Sequence, residues 1–279
     1  RSPRPPTLRP CPPHQPAHRD KRKARVHRAE LRSEISVLLR KMAFSQTAVK
    51  ICEEEAKAPQ EEFLLKILKR EMANRDDVRK ARFLHEAAFP VYKTFEGFDF
   101  SCVKLPPALS KQEMMTAQFV AEKKNLVLYG PVGTGKTHLA TALGVAACFR
   151  SFRTRFFTAA ELVVKLSEAL KEGSLERLIK SIARADLLII DEWGYVPVDR
   201  QGAQLLFRII ADSYERRSVI LTTNLEFSKW GTIFTDDQMA AAMIDRLAHH
   251  GHILLFEGES YRMKHALMRQ KGQVKLPTS

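Results

Sequence analysis

Asn125-Leu126-Val127-Leu128-Tyr129-Gly130-Pro131-Val132-Gly133-Thr134-Gly135-Lys136-Thr137 decides how this chain is read. The first five residues carry no charge and make a short buried strand. The next eight match G-x-x-x-x-G-K-[ST] in full, and a helical pattern follows over 136–150. Glycines at these positions let backbone N–H groups curl around phosphate oxygens, and the helix N-terminus adds partial positive charge. Lys136 then reaches the β- and γ-phosphates, and Thr137 is placed to ligate Mg²⁺. A plain glycine turn would require neither the Lys-Thr pair nor a strand before and a helix after. Gly130, Pro131, Val132, Gly133, Thr134, Gly135, Lys136 and Thr137 are therefore the candidate nucleotide-binding residues.

Outward from this loop, strands and helices alternate. Strand patterns fall at 155–158, 187–191, 218–223 and 252–256. Thr158-x-x-Glu161 forms a capping box that opens a helix with Leu162, Leu166 and Leu170 on one face, and Leu175, Leu178, Ile179 and Ile182 mark a second. Further helices fit 201–215, 236–248 and 261–269. Such alternation predicts an α/β fold with a parallel sheet covered on both faces.

Leu187-Leu188-Ile189-Ile190 runs into Asp191-Glu192, which puts two carboxylates at the C-terminal edge of the sheet, where ligands bind in such folds. Asp191 would support the Mg²⁺ shell. Glu192 would polarise an attacking water, a role that a kinase transferring phosphate to another acceptor does not need. Asn224 ends the next strand and could orient that water. Arg246, on the helix over 236–248, would project toward a nucleotide held by a neighbouring subunit. Arg262 would contact phosphates within its own chain. The alternative for both arginines is a solvated helix residue. His249-His250-Gly251-His252 lacks supporting Cys or carboxylate and does not read as a metal site, and Trp193 and Tyr195 read as packing residues.

The formal net charge is +14, but residues 1–45 hold 12 Lys/Arg against 3 Asp/Glu, so the excess sits mainly at the N-terminal end. Seven prolines crowd the first 16 residues, and 1–27 reads as a disordered basic extension. Residues 28–90 read as a helical region, in which Ile35, Leu38, Leu39 and Met42, then Leu64, Ile67, Leu68 and Met72, recur at helical spacing until Pro90. Residues 91–124 form a connector, 125–272 the ATPase domain and 273–279 a tail. A basic balance suits a polyanionic partner. No apolar run reaches the roughly 18 residues that span a bilayer, and the N-terminus lacks the apolar core of a secretory signal. Cys11, Cys52, Cys102 and Cys148 lie far apart with no CxxC pair, which fits a cytoplasmic protein without a disulfide framework.

These motifs in this order resemble the AAA+ ATPases of the initiator and helicase-loader branch. Phe157-Thr158-Ala159-Ala160-Glu161-Leu162, Ile190-Asp191-Glu192-Trp193-Gly194-Tyr195-Val196-Pro197, Thr222-Thr223-Asn224-Leu225 and Ile244-Asp245-Arg246-Leu247 together resemble the IstB-like helper ATPases of insertion-sequence transposition. The likeness extends over about 31–270. It implies an AAA+ P-loop fold behind a small all-α region. It implies Walker A residues at Lys136 and Thr137 and Walker B residues at Asp191 and Glu192. Asn224 would be sensor 1, Arg246 the arginine finger and Arg262 the sensor-2 arginine. It also implies ATP and Mg²⁺ as cofactors, nonspecific double-stranded DNA and a transposase of the same element as partners, self-assembly and no membrane contact. The alternative within the same resemblance is a DnaC-like replicative helicase loader.

Overall fold

A computed structural model describes residues 17–195, 198–234 and 236–261. The chain divides into two compact units, Arg1–Asp77 and Val78–Ser279. The first contains α1 (Ala17–Lys41), α2 (Gln46–Glu54) and most of α3 (Ala58–Ala87), within which the division falls. Helix already covers residues from Ala17 on, within the extension predicted as disordered over 1–27, because the residues after Pro16 carry no helix breaker. Residues 1–16 lie outside the described residues. Ile35, Leu39, Met42, Val49 and Leu68 form a small core with Leu31, Leu38, Leu64, Leu65 and Met72 against it. Ile67, expected inside, is 47% exposed, and Leu65 takes the inward position. Glu61 is buried in this unit; Arg28 Nε lies 2.9 Å and Arg32 Nε 2.6 Å from its carboxylate. These guanidiniums, Arg28 first, hold the carboxyl below its ordinary range against the opposing effect of desolvation.

The second unit is built on a six-stranded sheet in the order β1-β6-β2-β5-β4-β3. Its strands are β1 (Val103–Lys104), β2 (Asn125–Tyr129), β3 (Thr154–Thr158), β4 (Leu187–Trp193), β5 (Ser218–Thr223) and β6 (Gly251–Phe256). The pairs among β2 to β6 are parallel, as predicted, whereas β1 pairs antiparallel with β6. This edge strand comes from the segment read as a connector. That segment also holds α4 (Lys111–Met115), capped by a Ser110–Glu113 box, and α5 (Gln118–Ala121). The remaining helices are α6 (Lys136–Phe149), α7 (Ala159–Lys171), α8 (Leu175–Ala183), α9 (Arg200–Ser213), α10 (Trp230–Phe234) and α11 (Asp237–His249). The predicted capping box of Thr158 and Glu161 is formed at α7. Residues 262–279 lie outside the described residues, and with them the predicted final helix and tail.

Strand alternation sorts the core into two layers. Leu126, Leu128, Phe156, Leu187, Ile189 and Ile220 pack on one face with Leu139 and Leu143 of α6. Val127, Phe157, Leu188, Ile190, Val219 and Leu221 pack on the other with α7, α8, α9 and α11. The chain leaves β2 toward β3 on one side and returns from β5 across to β6 on the other. The C-terminal ends of β2 and β5 therefore flank a topological switch point, where α/β sheets open a binding crevice.

Candidate functional site

The glycine-rich loop leaves β2 at this switch point and feeds straight into α6. Gly130 has φ +154, and a Cβ there would lie 2.3 Å from the Phe256 carbonyl oxygen. Gly133 has φ +82, and a Cβ would run into the Ser260 hydroxyl. Both positions need glycine for conformation and for close approach. Thr134 donates to the Pro131 carbonyl at 2.8 Å and holds the loop in its curve. Lys136 is 6% exposed, and its ammonium donates to the carbonyls of Gly130 at 2.7 Å and Pro131 at 2.6 Å. Donation to these carbonyls is what makes a buried ammonium tolerable. Val132 stands out at 52% exposure.

Thr137 opens α6, and its hydroxyl donates to Asp191 Oδ1 across 3.0 Å. Asp191 is 3% exposed. It belongs to the α6 face by strand parity, as do Leu187 and Ile189. The next two residues break that parity. The β4–β5 register shifts between Ile190 and Trp193, and Glu192 takes φ +60. This β-bulge returns Trp193 to the opposite face, where it packs on Trp230 and Phe234 with ring centroids 5.6 and 5.4 Å away. The extra residue, Glu192, is left exposed at the sheet edge. A non-glycine residue held at positive φ costs free energy. Asp191 and Glu192 thus part: one carboxylate is buried against Thr137 and the other points to solvent at the same edge.

Asn224 follows β5 directly and is exposed. It comes one residue after Thr223, which pairs with Tyr129 of β2 on one side and Trp193 of β4 on the other. Asn224 therefore stands between the glycine loop and the acidic pair. Arg246 stands elsewhere. Its carbonyl accepts from Asn125 Nδ2 at 3.3 Å, at the start of β2 and about 13 Å along that strand from Tyr129. Its guanidinium donates to the Ala242 carbonyl at 2.8 Å and lies 5.2 Å from the Phe207 ring centroid. The fold does not bring Arg246 to its own glycine loop. Arg262 lies outside the described residues.

Two features were missed in the sequence. Residues of the connector lie along the loop: Phe98 faces Gly135, where a Cβ would sit 3.1 Å from its ring, and packs 5.2 Å from the His138 ring. Tyr261, just past β6, donates its N–H to the Gly133 carbonyl at 3.0 Å. These contacts are non-local and leave no periodic trace. Of the two aromatic residues read as packing, Trp193 is buried and Tyr195 is 43% exposed. The histidines are dispersed among other partners: His249 with the Tyr214 hydroxyl and His250 with Glu215.

The sequence matches the family described as IstB-like ATP binding protein over residues 34–269. A protein named as the ATP-binding protein of insertion sequence IS5376 in Geobacillus stearothermophilus is 37% identical over 212 residues, covering 76% of this chain and 84% of that one. One so named for insertion sequence IS21 in Pseudomonas aeruginosa is 40% identical over 206 residues, covering 73% and 77%. Among solved structures, AMPPCP-bound DnaA from Aquifex aeolicus is 21% identical with a TM-score of 0.48, covering 68% of this chain and 59% of that one. The DnaC helicase loader is 21% identical with a TM-score of 0.43, covering 63% and 99%. The chain thus spans little more than half of the DnaA chain. A complete phosphate-binding loop, an acidic pair at the same sheet edge and a family match over most of the chain lead to one conclusion: the chain belongs to the IstB-like ATP-binding protein family and is an AAA+ P-loop ATPase.

Proposed function

We propose that this protein is an ATP-switched, DNA-binding helper ATPase of insertion-sequence transposition, which assembles on DNA and stimulates the transposase of the same element. The observation that carries the chemical part is the bulge that separates Asp191, buried against Thr137, from Glu192, exposed beside the loop. The names of the insertion-sequence relatives support the biological part.

The backbone from Gly130 to Gly135 cradles the phosphates, and Lys136 neutralises their charge. The Thr137 hydroxyl and the Asp191 carboxylate are hard oxygen donors on one spot, a donor set that fits Mg²⁺. Mg²⁺ bound there would neutralise charge developing on the phosphates. Glu192 accepts a proton from the attacking water, and the Asn224 amide orients that water. Arg246, remote from its own loop, acts in a neighbouring copy of the chain, and this makes hydrolysis depend on self-assembly. Arg262 serves the phosphates of its own chain. The ATP-bound assembly grips duplex phosphates without sequence preference, and hydrolysis loosens it. The exposed Lys165, Lys171, Arg177 and Lys180 on α7 and α8 are the candidate surface for that grip; the alternative is that they are solvated helix faces. The setting is cytoplasmic, and no described helix is long and apolar enough to cross a membrane.

The test is retention of duplex DNA with ATP, with ADP and without nucleotide, for the wild type and Glu192→Gln. The expected result is retention with ATP alone and a longer-lived complex for Glu192→Gln. Equal retention in all three conditions would remove the switch. In a pull-down, recovery of replicative helicase without transposase would turn the reading toward a helicase loader.

A further inference from the structure

β5 ends in Thr222-Thr223, and both side chains are buried, at 2% and 0% exposure. The Thr222 hydroxyl donates to Asp191 Oδ1 and accepts the Glu192 N–H at 3.0 Å. One hydroxyl therefore holds the side chain of one acidic residue and the main chain of the other. Thr223 repeats the device one step on. Its hydroxyl donates to the Trp193 carbonyl at 2.8 Å and accepts the Leu225 N–H at 3.0 Å, closing a turn around Asn224.

The bulge explains why hydroxyls stand here. It takes the Glu192 N–H out of the regular β4–β5 ladder, and a part-buried N–H without an acceptor costs free energy. It also leaves Asp191 as a buried carboxylate that needs donors. Thr222 meets both needs from the facing strand, on the α6 face by parity with Ile220. A valine would fill the same space with the same preference for extended backbone. The hydroxyl is thus surplus to the strand and required only by the bulge.

We infer that Thr222 is a positioning residue for ATP hydrolysis: its hydroxyl fixes the Asp191 carboxylate and the strained Glu192 backbone as one unit beside the glycine loop. This rests on the reading of Asp191 and Glu192 as the metal-supporting and water-activating carboxylates.

The experiment compares Thr222→Val and Thr222→Ser with the wild type. It measures kcat and KM for ATP, binding of a fluorescent ATP analogue, and thermal melting. For Thr222→Val, kcat falls about 10- to 100-fold, as for loss of other groups that orient a ligand. KM and analogue binding stay within about threefold, and Thr222→Ser restores most of kcat. If Thr222→Val does not fold, Thr222→Ala against Thr222→Ser makes the same comparison. A Thr222→Val rate within about twofold of wild type overturns the inference. So does a loss that Thr222→Ser does not restore. The underlying reading fails separately, if the wild type releases no phosphate or Glu192→Gln releases it at the wild-type rate.

Discussion

The two ends of the sheet both bury polar side chains, and they use them differently. At the N-terminal edge, Asn125 Nδ2 donates to the carbonyls of Arg246 and Leu247, and its Oδ1 accepts from Val219 N–H at 2.9 Å. Arg217 donates to the carbonyls of Ile182 at 2.7 Å and Asp212 at 3.3 Å, and burial pushes its pKa down. Ser218 donates to the Phe119 carbonyl at 3.1 Å. Each of these side chains bonds to main chain and ties helix ends or turns to the strands. At the C-terminal edge, Thr137 and Thr222 both donate to Asp191, a β-bulge bends the strand beside them, and Glu192 and Asn224 are exposed. A buried polar residue alone does not mark a site. Side chains that converge on each other, next to a bent strand, do.

Substitutions at the two edges should separate function from stability. The largest effect on ATP binding belongs to Lys136→Ala. Loss of a charged donor to phosphate should weaken ATP binding at least about 100-fold while the chain stays folded, as read by analogue titration and thermal melting. A fall in melting temperature matching that of an N-terminal-edge variant would erase the distinction. Asn125→Ala should do the reverse. It strands hydrogen-bonding groups on three residues and should cost about 2 kcal/mol in urea unfolding, with ATP affinity of the folded protein unchanged.

Glu61 extends the comparison to the helical unit. Its folded pKa is depressed below 4.5, with the Arg28 hydrogen bond as the largest cause. The stabilisation is therefore complete above the ordinary carboxylate pKa and is lost as pH falls through the lower folded value. Urea midpoints followed by helical circular dichroism should drop on acidification from about pH 6 to about pH 3, and Glu61→Gln should show a shallower drop. An identical profile for the variant would mean that this ion pair does not set acid stability. The smallest effect is at the surface. Charge reversal of Lys171 and Lys180 should reduce the slope of log DNA affinity on log salt by about 2, and an unchanged slope would remove both from the DNA-facing surface.

The sequence is most legible where the physics is local. β2 and β5 begin and end where the apolar patterns do, because each is a continuous buried run bounded by polar or glycine residues. The loop, Lys136, Thr137, Asp191 and Glu192 are readable because phosphate chemistry demands those residues at that spacing. β1 was not legible, since two residues paired to a strand some 150 positions later carry no pattern of their own. Nor was the bulge: Asp191-Glu192-Trp193 reads as simple alternation until Trp193 is found packed on the face opposite to the one that parity assigns it. Thr222 escaped for the same reason, because its role exists only across the gap between two strands. The +14 charge pointed to a polyanionic partner but placed none of its contacts.

We propose that the C-terminal edge hydrolyses ATP with Glu192 as the water-activating carboxylate. Single-turnover phosphate release by Glu192→Gln, with ATP binding measured on the same sample, tests it most directly. Binding should stay close to wild type and release should slow about 10²- to 10⁴-fold, the usual contribution of a general base. Release at the wild-type rate with ATP bound would contradict it.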